Sequence, residues 1–315
     1  MVRPGSLVRV LLVLTIIASG AVYAQNQVKP NQLLVFISAT DASGAPLTDL
    51  KPDEIAYTES GTPGKVVSLD RHQLPIKLTI AIDNGKDSVT AVPTLKEGLT
   101  GMVGALPPDV EVTLITMSQP QTVVRPTTDR AQITQGITRF GPESGAVAKF
   151  SETLVEYAQR LDKDFKDKKL TYAPVLIVVS TSTPELESVQ PDTINKTLNT
   201  LQTRGAKVSM IMFTTTPTNT EAVANMKQGR QALIAAPIVK ASRGKFETLV
   251  QFNRLETLLP EWGTEIASSH TRQMNQYRAV IERPGGATGP LNNPGLRLTR
   301  SGINGTVSPD GRFTQ

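Results

Sequence analysis

The chain has 315 residues, 39% of them apolar and 19% charged, which is enough for one large domain with a smaller one and argues against global disorder. It has no cysteine and only two histidines, His72 and His270, so disulfides, thiolate chemistry and histidine-rich zinc sites are excluded and a hydrolase triad is disfavoured. The net charge of +5 comes without a dense cluster of lysine and arginine, so we do not expect a nucleic-acid partner.

Residues 1–24 are predicted to be a signal peptide and not part of the fold. Arg3 and Arg9 supply positive charge, residues 10–18 supply an apolar run, and Ala24 is the small residue at the predicted cleavage site. Cleavage would lower the net charge from +5 to +3, because it removes two arginines. The alternative is an uncleaved membrane anchor, which is disfavoured because the run is shorter than the roughly 20 residues that span a bilayer.

Residues 25–72 are predicted to form a small β module that leads into the main domain. Short apolar runs with strand character are separated by turns rich in glycine. The module is too small to be stable alone, so we expect it to pack on the larger domain that comes after it in the chain. Its predicted strands are residues 33–39, 55–59 and 66–69.

From residue 73 to residue 283 the pattern changes to strands that alternate with helices. This alternation predicts an α/β domain with a doubly wound, Rossmann-like, mostly parallel sheet flanked by helices. Residues 284–315 are rich in glycine, proline and asparagine and are predicted to be a flexible tail. The predicted strands are residues 78–82, 110–117, 123–124, 175–179, 208–213, 244–249 and 277–282, and the predicted helices begin near residues 92, 150, 191, 220 and 255.

A candidate site begins at Asp83, directly after the apolar run of residues 78–82. In an open parallel sheet, the loops at the carboxyl ends of the strands are exposed while the strands hold them in place, so ligand sites form there. We therefore expect the polar loop of residues 83–88 to lie at the functional edge of the sheet.

The order of elements, with a strand that ends in Asp83, resembles a von Willebrand factor type A domain. Asp41-Ala-Ser-Gly-Ala-Pro-Leu-Thr-Asp-Leu-Lys-Pro-Asp-Glu-Ile55, followed by Ser60-Gly-Thr-Pro-Gly-Lys65, is similar to the β lead-in of the related secreted proteins of acidobacteria. Met274-Asn-Gln-Tyr-Arg278 is similar to the segment that closes their domain. The resemblance covers residues 31–283 and implies an interaction module with a metal-ion-dependent adhesion site.

In that family one loop contributes Asp-x-Ser-x-Ser, a second loop a threonine and a third an aspartate, which are oxygen ligands suited to a divalent cation. Only Asp83 matches in this chain. Gly85 and Asp87 stand at the serine positions, Ala146 at the threonine and Thr181 at the last aspartate. The resemblance therefore implies a degenerate site, and the favoured prediction is that no cofactor binds.

Asp83 has two interpretations. In the favoured one, Asp83 accepts hydrogen bonds from loop amides or caps the following helix, while Lys86 offsets the local charge. In the alternative, Mg²⁺ or Ca²⁺ binds to Asp83, Asp87 and Ser88 or Thr181. So small a set of protein oxygens disfavours the alternative.

The sequence predicts an exported bacterial protein, periplasmic or extracellular, that is not an enzyme, because no nucleophile, base and orienting group can be assembled from it. We expect an unknown protein partner, no nucleic acid and, once the signal peptide is removed, no membrane. The alternative function is a divalent-cation-dependent adhesin with a reduced site around Asp83. The predicted partner-binding rim consists of Asp83, Asn84, Asp87, Ser88, Thr181 and Ser182.

Overall fold

The computed structural model describes residues 12–13, 28–143, 145–181, 189–213 and 230–313. The chain divides into two compact units, the first formed by Met1–Leu74 with Thr271–Gln315 and the second by Pro75–His270. Within the described ranges, no helix combines the length and the apolar content needed to cross a bilayer.

The strands are β1 Leu12–Val13, β2 Gln32–Thr40, β3 Ile55–Glu59, β4 Thr62–Pro63, β5 Lys65–His72, β6 Ile76–Ile82, β7 Glu111–Thr116, β8 Gln121–Thr127, β9 Ala173–Thr181, β10 Lys207–Phe213, β11 Phe246–Leu249, β12 Gln276–Glu282, β13 Pro294–Leu298 and β14 Asn304–Ser308. The α-helices are α1 Val92–Ala105, α2 Arg130–Arg139, α3 Phe150–Lys166, α4 Pro191–Thr203, α5 Arg230–Ala241 and α6 Leu255–Met274.

The second unit is built on a six-stranded sheet in the order β11-β10-β9-β6-β7-β8. All neighbouring pairs are parallel except β7 and β8, which are antiparallel. On one face of the sheet, apolar residues of α3, α4 and α5 form a common core with residues of the central strands. The predicted fold class, an α/β fold with a doubly wound and mostly parallel sheet, is confirmed.

β6 and β9 are the two central strands, and their sequences explain this position. Every residue of β9 is buried, and so is every residue of β6 except Lys77. Unbroken apolar runs of this kind suit strands that are covered on both faces. Because β6 and β9 are parallel neighbours, the residues at their carboxyl ends meet at the same edge of the sheet.

Helices α1 and α6 pack closely because glycines line their contact. A Cβ atom on Gly98 would lie 2.5 Å from the carbonyl oxygen of Leu255, and one on Gly263 would lie 2.7 Å from the carbonyl oxygen of Met102. Gly263 lowers the helix propensity of α6 but is required for this approach.

The first unit contains two four-stranded sheets, in the orders β1-β13-β3-β4 and β14-β2-β12-β5. Residues of β2 and β12 form one apolar cluster with residues of β3 and β13. Leu34 and Phe36, on the other face of β2, pack with Val280 and Phe313. β2 is therefore buried on both faces.

The first unit differs from the predicted division into a module of residues 25–72, a domain of residues 73–283 and a flexible tail. β12 pairs with β2 and β5, so it belongs to the first unit and not to the six-stranded sheet. The predicted tail contains β13 and β14, which pair with β3 and β2. The tail prediction is corrected because Leu296 is buried in the shared cluster, which gives this segment a place in the core.

Of the predicted signal peptide, residues 1–24, the described part is Leu12–Val13, which pairs antiparallel with Gly295 and Leu296 of β13. The other residues of the segment lie outside the described ranges, and cleavage after Ala24 stays a prediction.

Candidate functional site

Asp83 lies at the carboxyl edge of the six-stranded sheet, directly after β6. Ser118 comes two residues after the neighbouring strand β7, and Thr181 is the last residue of β9 on the other side. The parallel arrangement brings the three side chains together. All three are buried, with exposed fractions of 3%, 4% and 1%.

Uncharged donors surround the carboxylate of Asp83. Its Oδ2 accepts hydrogen bonds from the hydroxyl of Thr181 at 2.7 Å and from the backbone N–H of Thr181 at 3.3 Å. Its Oδ1 accepts from the backbone N–H of Gly85 at 2.8 Å, and the hydroxyls of Ser88 and Ser118 lie 3.2 Å and 3.3 Å away. A buried carboxylate must replace its lost hydration, and these donors do so at both oxygens.

Ser88 also closes the turn that comes after Asp83. Its hydroxyl lies 3.0 Å from the carbonyl oxygen of Gly85, so its single proton is shared between that carbonyl and Asp83. The backbone N–H of Ser88 donates to the same carbonyl at 3.1 Å. Residues 83–88 therefore form a compact turn whose interior faces the Asp83 carboxylate.

A second loop, residues 141–149, lies against this turn, and we call it the covering loop. Ser144 within it falls outside the described residues. The backbone N–H of Glu143 donates to the carbonyl oxygen of Asn84 at 2.7 Å, and that of Lys86 donates to the carbonyl oxygen of Ala146 at 3.0 Å. The side-chain amide of Asn84 adds a hydrogen bond to Gly141 at 2.8 Å. These contacts fix the covering loop to the turn.

Asp87, the second acidic residue of the turn, forms an ion pair with its neighbour. Its Oδ1 lies 2.9 Å from Nζ of Lys86, and the two side chains keep 26% and 51% of their exposure. Such a partly exposed pair contributes little to stability. Its consequence is local neutrality, because the second acidic group of the turn already has a cationic partner.

The predicted rim residues are mostly buried. Asp83, Asn84, Ser88 and Thr181 are each at most 3% exposed, and Asp87 is partly exposed. Ser182 lies outside the described residues. The four buried side chains cannot form the surface that a partner touches, so any role they have in binding is to hold the loops that do.

These residues do not fit the cation site that the resemblance implies. A Cβ atom at Gly85, where a ligating serine would stand, would lie 2.6 Å from the carbonyl oxygen of Ala146 and 2.7 Å from Oγ of Ser118. Thr181, where an aspartate would stand, donates its hydroxyl proton to Asp83. Among the described residues, no group of three or more His, Cys, Asp or Glu could hold a metal ion.

Sequence reasoning missed Ser118, although a signal for it was present. Residues 110–117 are predicted as a strand, so Ser118 comes directly after a strand in the same way as Asp83 does. The rule that placed Asp83 at the carboxyl edge applies equally to this serine. The family motif has no ligand at this position, so the resemblance gave no prediction for Ser118.

His270 lies near the amino-terminal end of β6, where both of its ring nitrogens have hydrogen-bond partners. Its Nδ1 accepts a hydrogen bond from the backbone N–H of Ile76 at 3.2 Å, and its Nε2 lies 3.0 Å from Oδ2 of Asp109. Because the backbone N–H can only donate, Nδ1 carries no proton and Nε2 donates to Asp109. His270 lies inside α6 and is 2% exposed.

His72, in β5 of the first unit, packs against an aromatic ring. The ring centroids of His72 and Phe36 are 5.1 Å apart. Burial, with a smaller contribution from Arg278, lowers the pKa of His72 below its ordinary value of 6.5. The contact is a packing one.

No protein-family model matches the chain, and no curated protein matches it. Solved structures do match. Conserved hypothetical protein BatB from Bacteroides thetaiotaomicron is 14% identical, with a TM-score of 0.44 over 62% of this chain and 100% of BatB. Von Willebrand factor type A from Catenulispora acidiphila is 10% identical, with a TM-score of 0.47 over 89% of this chain and 75% of that one.

Proximal thread matrix protein 1 from the mussel byssus, solved with a zinc-occupied MIDAS motif, is 12% identical, with a TM-score of 0.44 over 64% of this chain and 50% of that one. These likenesses concern the fold alone. One of these structures is of von Willebrand factor type A, the class of domain that the sequence resembles.

Proposed function

We propose that this chain is an exported, non-enzymatic protein-interaction module. It binds a protein partner through the loops at the carboxyl edge of its six-stranded sheet, without a standard metal site. The observation that carries the proposal is the buried cluster around Asp83, which ties the turn of residues 83–88 to Ser118, after β7, and to Thr181 of β9 through hydrogen bonds. Loops held in this way present a defined surface, which lowers the entropy cost of binding.

The described surface of this edge is largely neutral. Gln119 and Pro142 are exposed, and Val250 after β11 is 62% exposed. Lys86 and Asp87 neutralise each other. Recognition would therefore rest on shape, apolar contact and neutral hydrogen bonds, with a weak dependence on ionic strength.

The polar side chains support a non-enzymatic function, because they are already engaged in hydrogen bonds within the protein. Both oxygens of Asp83 are engaged by hydrogen-bond donors, and both ring nitrogens of His270 have partners. A general base must be able to reach a substrate proton, and these groups are buried. The proposed location is the periplasm or the outside of the cell.

Variants of Gln119, Pro142 and Val250, which are exposed residues of this edge, test the proposal, and we call them the rim variants. Wild-type protein is immobilised and exposed to the secreted and periplasmic proteins of its native host, in parallel with Gln119→Arg, Pro142→Arg and Val250→Asp. Thr171→Arg is the matched control, because Thr171 is exposed and precedes β9 at the opposite edge. We expect the rim variants to lose a partner that wild type and T171R retain. Retention of the partner by all three rim variants would refute the placement.

The second candidate is a divalent-cation-dependent adhesin that uses a reduced site at Asp83. Hydroxyl and carbonyl oxygens around Asp83 favour it, since they are ligands that Mg²⁺ and Ca²⁺ accept. Calorimetric titration of wild type and Asp83→Ala with each cation distinguishes the two functions. Stoichiometric uptake that D83A loses supports the adhesin.

A further inference from the structure

We infer that hydroxyl groups have replaced a cation at the carboxyl edge, and that Ser118 occupies the space a ligand side chain at residue 85 would need. Ser118 is then a positioning residue that fixes the loops in the absence of metal. The inference deepens the proposed function, since it implies that partner binding is insensitive to divalent cations. It rests on the proposed function only for the statement that this edge binds a partner.

The first step concerns the charge of Asp83. A carboxylate that is 3% exposed requires compensation, which either a cation or several hydrogen-bond donors can give. Here the donors are the backbone N–H of Gly85 and the hydroxyl and backbone N–H of Thr181, with the hydroxyls of Ser88 and Ser118 in reach. These contacts satisfy one negative charge, and among the described residues around Asp83 there is no second buried carboxylate that a divalent ion would be needed to neutralise.

The second step concerns space. The position of a Cβ atom on Gly85 is enclosed by Oγ of Ser118 at 2.7 Å, the carbonyl oxygen of Ala146 at 2.6 Å and Oδ1 of Asp83 at 3.2 Å. The carbonyl of Ala146 cannot easily withdraw, because it accepts the backbone N–H of Lys86. A serine at residue 85 would therefore displace the covering loop before it could ligate a metal.

The third step concerns position 181. The hydroxyl of Thr181 now lies 2.7 Å from Oδ2 of Asp83, so an acidic side chain at residue 181 would bring a second carboxylate close to Asp83. Two carboxylates so close repel each other unless a cation or a proton lies between them. Threonine at this position avoids the repulsion and donates a hydrogen bond to Asp83 instead. Gly85, Ser118 and Thr181 thus form one consistent set, and the set explains why the family pattern is absent at two positions together.

The experiment measures backbone amide exchange of Gly85 and Thr181 in isolated full-length protein, first in EDTA and then in millimolar Mg²⁺ or Ca²⁺. We expect both amides to be protected in EDTA, with rates unchanged by either cation. Ser118→Ala should speed exchange at Gly85 roughly fivefold, as expected for the loss of one hydrogen bond. Ser209→Ala is the matched control: Ser209 is buried in β10, where its hydroxyl accepts the backbone N–H of Lys245, so it should leave Gly85 unchanged.

A second pair of variants keeps the inference testable if S118A does not fold. Gly85→Ser should destabilise the protein without gaining saturable Mg²⁺ uptake, whereas Gly145→Ser on the covering loop should be tolerated, because a Cβ atom on Gly145 meets nothing within 4 Å. Cation-dependent protection of Gly85 in wild type, or Mg²⁺ uptake by G85S, would overturn the inference. Because neither readout involves a partner, failure of the proposed binding function would be seen separately, in the rim variants.

Discussion

The hydroxyl of Thr181 donates a 2.7 Å hydrogen bond to Oδ2 of Asp83, and so joins the ends of the two central strands of the sheet. Thr181→Val keeps the shape of the side chain and removes the donor, which leaves a buried carboxylate oxygen with one partner fewer. We expect a loss of about 1–3 kcal/mol in the free energy of unfolding, measured by urea denaturation. Thr181→Ser retains the hydroxyl and should stay close to wild type; equal losses in both variants would show that the methyl group matters and the hydrogen bond does not.

Gly263 in α6 and Gly104 in α1 give opposite predictions for the same substitution. A Cβ atom on Gly263 would lie 2.7 Å from the carbonyl oxygen of Met102, so Gly263→Ala should cost about 1–3 kcal/mol despite the better helix propensity of alanine. Gly104 is exposed and has nothing within 4 Å of the same position, so Gly104→Ala should be neutral or stabilise by up to about 1 kcal/mol. Urea midpoints of the two variants, compared with wild type, check both signs.

The ion pair of Glu59 and Arg283 should make the first unit sensitive to acid. Arg283 contacts both carboxylate oxygens, at 2.6 Å and 2.8 Å, and this hydrogen bonding lowers the pKa of Glu59 from 4.5 to about 2. Because the folded pKa lies below the unfolded one, the stabilisation is present above pH 4.5 and is lost as the pH falls from there towards 2.

Glu59→Gln tests this pH dependence. The variant removes the titrating group, so its stability should vary less than that of wild type across the same acidic window. At neutral pH it should be less stable by about 3 kcal/mol, since Arg283 is left buried without its counter-ion. Far-ultraviolet circular dichroism during denaturation at several pH values measures both effects, and parallel acid profiles for the two proteins would contradict the assignment.

His270 should be needed to satisfy the first backbone N–H of β6. His270→Ala leaves the buried N–H of Ile76 without its acceptor, and we expect a loss of at least about 1–3 kcal/mol. Asp109→Asn preserves an acceptor for Nε2 and lies at a side chain that is 56% exposed, so its effect should be much smaller.

The pKa of Asp109 gives an independent readout of the same contact. The hydrogen bond from His270 lowers it below the ordinary value of 3.8, with help from the charge on Arg130. In H270A the pKa should rise towards that ordinary value, which NMR titration of the carboxylate would detect. An unchanged pKa would mean that the two side chains do not interact in solution.

The central part of the fold could be predicted because its signals are local and strong. The apolar runs in β6 and β9 identify strands covered on both faces. Because such strands are parallel, the turn after β6 is expected at the carboxyl edge of the sheet. Pro93 lies in the first turn of α1, and Gly205 comes after α4 with a φ of 67°, as their chemistry requires.

The first unit could not be predicted to the same extent because its contacts are distant in sequence. β13 begins with a proline and a glycine, and β14 contains another glycine, which in isolation favour a loop. Their partners are β3 and β2, near the other end of the chain. Helix α2 was missed because it is mostly polar; it includes Gly136, which is required by the close approach of Val124.

At the site, the resemblance predicted which ligand positions of the family this chain does not keep, but it could not predict which groups occupy the space at residue 85. That depends on Ser118 and the carbonyl of Ala146, which approach residue 85 only in the folded chain. It also depends on side-chain direction: Asp87 was considered as a ligand, yet it pairs with Lys86, while Ser88 turns towards Asp83.

The first unit is discontinuous, and this affects the order in which the protein can be made. Strands β2 and β5 have no sheet partner in common until β12 has been synthesised, and the whole of the second unit is translated in between. The second unit is an uninterrupted stretch and can complete its own core earlier. During synthesis the amino-terminal strands therefore remain without β12, with their apolar faces uncovered, and in this interval we expect the chain to depend most on chaperones.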